Sequence, residues 1–181
     1  MEYVGSRNLH SLLVELQDKT LPRSWLVQAG HQVTLALSHC HSKGIIHLDV
    51  KPANILVNRR GVCKLGDFGC SVSLSNLSLG VDHSLVGTPG YQAPEFLRGQ
   101  APTTHCDIYS LGILLWQLDS RELPFSGSHP HSVMYQVVAM TARPASPAQA
   151  SVNMAAFTAL YKSCWHHQPW HRPSIGVSLQ K

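Results

Sequence analysis

The stretch HLDVKPANIL, residues 47 to 56, brings together the carboxylate of Asp49, the amine of Lys51 and the carboxamide of Asn54. It lies between an apolar run ending in Ile45-Ile46 and another beginning at Ile55-Leu56. Charged and amide side chains are costly to hold beside such residues unless they face a shared ligand. A second carboxylate, Asp67, follows ahead of Phe68-Gly69. A turn-forming Asp49 or a hairpin-end Asp67 would account for either carboxylate alone, but poorly for the pair together with Asn54.

The elements that must position these side chains are mostly helical. Leu9, Leu12, Leu13 and Leu16 recur at the spacing of a helix with one buried face. Leu26, Val33, Leu37 and Cys40 form one stripe of a second helix, which begins after Pro22 with Ser24 as its N-cap and stops at Gly44. Three short β runs follow: 45–47, 55–57 and 62–65. Asn58-Arg59-Arg60-Gly61 joins the last two as a hairpin turn, with Gly61 at positive φ. Residues 71–90 are rich in Ser and Gly without clean periodicity and read as a long loop. A buried central helix is expected over 107–118, a further helix over 133–140, a connector over 142–150, and a last stripe at Phe157, Leu160, Tyr161 and Cys164.

The chain has 181 residues, 44% hydrophobic and 13% charged, which is enough for one globular domain with a sizeable core. A net charge of +4, with Lys and Arg scattered, argues against a dedicated nucleic-acid surface. Five cysteines without CxxC spacing fit neither a disulfide framework nor a standard zinc pattern, and point to a reducing compartment, the cytoplasm. His39-Cys40-His41 and His166-His167 are the dense histidine groups, and read as a helix end and a turn rather than as metal ligands. No apolar run reaches the roughly 18 residues of a membrane helix.

His47-Leu48-Asp49, Asn54 five residues beyond Asp49, a hairpin and then Asp67-Phe68-Gly69 together resemble the catalytic and metal-binding loops of protein kinases. Gly87-Thr88 and Ala93-Pro94-Glu95 resemble the substrate-docking loop and the end of the activation segment. Asp107 to Gly112 looks like the start of the large lobe's central helix, and Cys164-Trp165, Pro169 and Arg172-Pro173-Ser174 look like its closing helices. Any one tripeptide is weak evidence, but six pieces in order across nearly the whole chain are strong. Within the kinases, His-Leu-Asp, Lys51 to Leu56 and Asp67-Phe68-Gly69-Cys70-Ser71 resemble the Mos family of serine/threonine kinases.

The resemblance implies an α+β, mainly α-helical fold: a kinase-like large lobe with a small β-hairpin region and without the small lobe. By the same resemblance, 1–8 is the hinge, 47–54 the catalytic loop, 67–95 the activation segment and 107–118 the central helix. It implies phosphoryl transfer from ATP, which depends on alignment and charge neutralisation. Asp49 would orient the substrate hydroxyl and Lys51 would offset charge on the γ-phosphate. Asn54 and Asp67 would hold Mg²⁺. Backbone groups of Glu2 and Val4 would meet adenine, with Leu56 beneath the ring and Met1 as gatekeeper. Thr88 would link the docking loop to Asp49 and Lys51, and with Lys51 would favour serine/threonine acceptors.

Other residues are expected to be structural. His47 packs against Phe68, itself a core residue, and Asp107 caps its helix and braces the catalytic loop. Glu95 and Arg172 form a buried ion pair whose rupture costs about 3–5 kcal/mol. Leu48 stands where many kinases carry an Arg that grips an activation-loop phosphate; it is expected to pack instead, leaving activity independent of such a phosphate.

The chain has no G-x-G-x-x-G loop and no V-A-I-K lysine. It therefore reads as a fragment, with catalysis belonging to a longer parent. Mos resemblance implies a MAP kinase kinase as substrate and a part in oocyte meiosis, with no nucleic-acid or membrane partner. A pseudokinase or scaffold is the alternative. A small-molecule phosphotransferase is disfavoured, because such enzymes lack Ala93-Pro94-Glu95 and the Thr88 loop.

Overall fold

The computed structural model describes residues 5, 7–16, 21–75, 86–145 and 154–175. Helix α1 (Leu9–Glu15) starts at a reciprocal cap: Ser11 N–H donates to Asn8 Oδ1 at 2.8 Å, and Asn8 N–H donates to Ser11 Oγ. Its Leu9 and Leu13 enter the core. Helix α2 (Arg23–Ser42) has Pro22 at its N-cap position and no side-chain cap, so Ser24 lies inside the first turn and does not cap it. Proline's fixed φ suits a helix start without needing its N–H, which makes a side-chain cap dispensable here.

Strands β1 (Ile45–Ile46) and β4 (Val72–Ser73) pair antiparallel, Ile45 opposite Ser73 and Ile46 opposite Val72. Residues 71–90 are thus not all loop, and His47 falls just past β1. Strands β2 (Ile55–Val57) and β3 (Cys63–Leu65) form the expected hairpin, one residue shorter than read because Val62 belongs to the turn. That turn is closed by Asn58, whose Oδ1 accepts the N–H groups of Arg60 and Val62 at 2.9 and 3.0 Å, with Gly61 at φ +77°.

After the single turn of α3 (Pro94–Leu97) comes α4 (Thr104–Ser120), buried at every position from Cys106 to Leu118. A helix without a polar face must be surrounded. Here α2 packs on one side and α6 (Ala155–Cys164) on another. The approach to α6 requires Gly112: a Cβ there would lie 2.9 Å from Cys164 Cβ and 3.0 Å from two backbone atoms, Trp165 N and Tyr161 O. Helix α5 (Pro130–Ala139) lies against α3, starting three residues before the expected span. Among the described residues, no helix is long and apolar enough to cross a membrane.

Candidate active site

The loop after β1 is held from beneath by Asp107, whose side chain is fully buried. Its Oδ2 accepts the His47 N–H and its Oδ1 the Leu48 N–H, both at 2.8 Å. Asp107 therefore braces the loop as expected. It does not cap α4, because the helix begins three residues earlier and Thr103 holds the N-cap position. The grip explains why Leu48 adopts φ +64°. A left-handed residue with a Cβ costs about 1–2 kcal/mol. Two hydrogen bonds to a buried carboxylate contribute roughly 1.5–3 kcal/mol each. Leu48 itself is buried, as expected.

His41, at the end of α2, places Nε2 2.8 Å from the same Asp107 Oδ2. The sequence places this histidine at a helix end and assigns it no partner. The signal that could have found it was its place in the helix end leading into the loop.

On this support Asp49, Lys51, Asn54 and Thr88 meet in one network. Thr88 Oγ1 donates to Asp49 Oδ1 at 2.8 Å and accepts from Lys51 Nζ at 2.7 Å. Asp49 Oδ2 receives Lys51 Nζ at 2.7 Å and Asn54 Nδ2 at 2.8 Å. Asn54 Nδ2 also donates to the Asp49 carbonyl. Thr88 arrives from 39 positions along the chain because Gly87, at φ +101°, passes against the Asp49 loop; a Cβ there would lie 2.8 Å from the Leu48 carbonyl oxygen. The carboxylate of Asp49 has about four acceptor sites, and three donors use three of them, leaving one on Oδ1.

Asp67 is exposed, at φ +55°, with Oδ1 accepting the Gly69 N–H. Its neighbour Gly66 donates its N–H to the Asn54 carbonyl at 2.9 Å, and the Gly66 carbonyl lies 3.0 Å from His47 Nε2. Asp67 therefore begins one residue from a direct tie to Asn54. Asp67 Oδ2 and Asn54 Oδ1 make no hydrogen bond among the described residues. Two unspent hard oxygens on adjoining segments suit Mg²⁺, which keeps phosphate and water oxygens for the rest of its shell. Among the described residues, no three His, Cys, Asp or Glu side chains cluster to enclose a metal on their own.

His47 is fully buried and meets Phe68 edge-on, ring centroids 4.9 Å apart, as expected. Phe68, however, is 44% exposed and not a core residue; the single short 3-10 turn Phe68–Cys70 leaves its outer face uncovered. Leu56 is half-buried on β2, opposite Asn8 across an isolated bridge. Glu2 and Val4, and Met1 with them, lie outside the described residues.

Away from this network, Glu95 and Arg172 form the expected ion pair. It is bidentate, at 2.6 and 2.8 Å, with both residues buried. The guanidinium also donates to the carbonyls of His105, His166 and His167. This clamps the start of α3 to the chain following α6.

A protein kinase domain model matches residues 1–181. A serine/threonine-protein kinase mos of Patiria pectinifera is 44% identical over 99% of this chain and 51% of its own length. A proto-oncogene serine/threonine-protein kinase mos of Rattus norvegicus is 38% identical over 100% of this chain and 56% of its own. A serine/threonine-protein kinase-transforming protein mos of Moloney murine sarcoma virus is 39% identical over 96% and 50%. The chain spans about half the length of the curated relatives it matches.

Proposed function

Since this chain belongs to the protein kinase domain family, we propose that it is the large lobe of a Mos-like serine/threonine kinase, with residues 1–8 as the hinge to a small lobe carried by a longer protein. The observation that carries the reading is the Asp49–Lys51–Thr88–Asn54 network, which gathers acidic, cationic and hydroxyl groups from two loops around one carboxylate. Fold membership alone would not specify that chemistry.

When bound, Mg²⁺-ATP supplies a transferable γ-phosphoryl group with part of its charge neutralised. The rest falls to the chain. Asp49 accepts the hydrogen bond of the incoming hydroxyl at its spare Oδ1 site, which aligns the nucleophile and takes up its proton. Lys51, held 2.7 Å from both Asp49 and Thr88, presents its positive charge to the transferred group. Asn54 and Asp67 would hold the metal through the oxygens identified above. By the kinase resemblance, backbone groups of Glu2 and Val4 would meet adenine, with Leu56 beneath it. Thr88 ties the acceptor-docking loop to the base, favouring serine and threonine hydroxyls. Buried Leu48 offers no cation to an activation-segment phosphate, so activity does not require one. A MAP kinase kinase is the protein substrate by family likeness, with a role in oocyte meiosis and a cytoplasmic location.

The test is phosphorylation of a MAP kinase kinase by the longer protein with Mg²⁺ and ATP, beside Asp49→Asn and Asp67→Ala. Asp49→Asn should lose at least about a hundredfold in rate, the low end for removing a general base, and Asp67→Ala should fall well below the wild type for want of a metal ligand, with phosphate only on Ser or Thr in the wild type. Wild-type turnover by Asp67→Ala would overturn the assignment. Substrate binding without turnover by the intact longer protein would establish the scaffold instead.

A further inference from the structure

A cavity of about 1010 Å³ opens between α1, the start of α2 and the β2–β3 turn. It includes none of the residues of the Asp49 network. Its wall is apolar: Leu12 and Leu16, one turn apart on α1, with Leu21 and Trp25. Leu9 and Leu13 are buried in the core, while Leu12, which packs against it, and Leu16 are only half-buried. Leu12 and Leu16 thus extend the one apolar face of α1 beyond the core and leave part of it open to the cleft.

The rim is cationic. Arg7, Arg59 and Arg60 line it, and no described lining residue is acidic. Arg7 has Glu15 at 3.3 Å, in a largely exposed pair that contributes little. Arg59 and Arg60 are exposed at the hairpin tip, with no carboxylate partner among the described residues. The tip is fixed to the wall: a Cβ on Gly61 would lie 2.9 Å from Trp25 Nε1, and Cys63 N–H donates to Gln32 Oε1 of α2 at 2.6 Å. Apolar wall and cationic rim therefore form one preorganised surface, which lowers the ordering cost of binding.

We propose that this cleft docks an acidic segment of a partner protein, with leucine-like anchors on Leu12, Leu16 and Trp25 and flanking Asp or Glu carboxylates on Arg59 and Arg60. The charge match fixes the class of occupant: concave aliphatic walls take apolar side chains, and arginines with no carboxylate partner among the described residues take carboxylates. The inference stands apart from phosphoryl transfer, since no residue is shared with the Asp49 network.

The probe is a fluorescein-labelled peptide with a Leu-x-Leu core between Glu-Glu pairs, measured by anisotropy against the intact longer protein. Controls carry Ser for Leu, or Lys for Glu. The Glu peptide should bind, lose about tenfold or more on the Arg59→Glu/Arg60→Glu double variant, and weaken as salt rises from 0.05 to 0.5 M, values on the order of those that span the Debye-screening range. Arg59→Gln/Arg60→Gln should give a smaller loss. A Ser control that binds as well as the Leu peptide would remove the apolar half of the proposal. Equal binding by wild type and the double variant would remove the charged half. No binding would show the cleft to be filled or unused, and tighter binding of a single-stranded oligonucleotide would assign the rim to nucleic acid; each overturns the proposal. Binding is read without turnover, so an inactive Asp67→Ala variant should bind the peptide as the wild type does, separating this inference from the kinase reading.

Discussion

Truncating Arg172 should cost more than truncating Glu95, although they are two halves of one ion pair. The side chains are 0% and 6% exposed, so neither charge can turn to solvent. Glu95→Ala leaves the guanidinium with three carbonyl acceptors, those of His105, His166 and His167. Its cost should sit near the lower end for a broken buried pair, about 3 kcal/mol. Among the described residues, Arg172→Ala leaves the Glu95 carboxylate with only the Cys106 thiol at 3.6 Å, and strips a donor from each of those three carbonyls. It also removes one of two guanidinium groups over the Tyr109 ring, the one at 5.1 Å, leaving that of Arg143 at 4.9 Å. About 4 kcal/mol for the carboxylate plus at least ~1 kcal/mol for the carbonyls gives roughly 5 kcal/mol. Against a total of about 5–15 kcal/mol, that brings the fold near its limit. Urea unfolding followed through the fluorescence of buried Trp116 and Trp165 measures both. With m about 2 kcal/mol/M, the midpoint should fall by about 1.5 M for Glu95→Ala and about 2.5 M for Arg172→Ala at unchanged m. The reasoning fails if Glu95→Ala proves the costlier change, or if Arg172→Ala costs less than about 1.5 kcal/mol.

Two further outcomes follow from packing and burial. Gly112→Ala gains about 1 kcal/mol in helix propensity but forces α4 away from backbone atoms of Tyr161 and Trp165; a net loss of about 1–2 kcal/mol should lower Tm by several degrees, and an unchanged Tm would show the helices free to separate. Burial pushes the thiols of Cys106 and Cys164 from 9.0 up to about 12, so at pH 8 their thiolate populations are about a thousandfold below normal. Maleimide labelling with mass spectrometry should mark half-buried Cys70 first and these two only in urea. The sign for stability follows: because the folded thiols hold their protons more tightly, their contribution is full below pH 9 and is lost as pH rises toward 12.

The spacing from Asp49 to Asn54 could be read because that loop is local in sequence, and its ties to Thr88 were implied by the kinase resemblance. What escaped was set by distant partners. His41 shares Asp107 with the Asp49 loop across 66 positions, and no periodicity announces such a contact. The β1–β4 pairing rests on two residues at each edge, too few for an alternating pattern to show. Ser24 was a reasonable cap by residue type, but Pro22 starts α2 without one. Phe68 looked like core by composition, yet the turn at Asp67 leaves much of its ring in solvent.

Helix α4 also bears on how the chain is made. It is complete at Ser120 and has no polar face, yet α6, which covers one of its sides, ends only at Cys164. At about 5–20 residues per second, the ribosome leaves that side naked for seconds. Such an interval invites aggregation, and makes newborn copies clients for chaperones that recognise bare apolar helices.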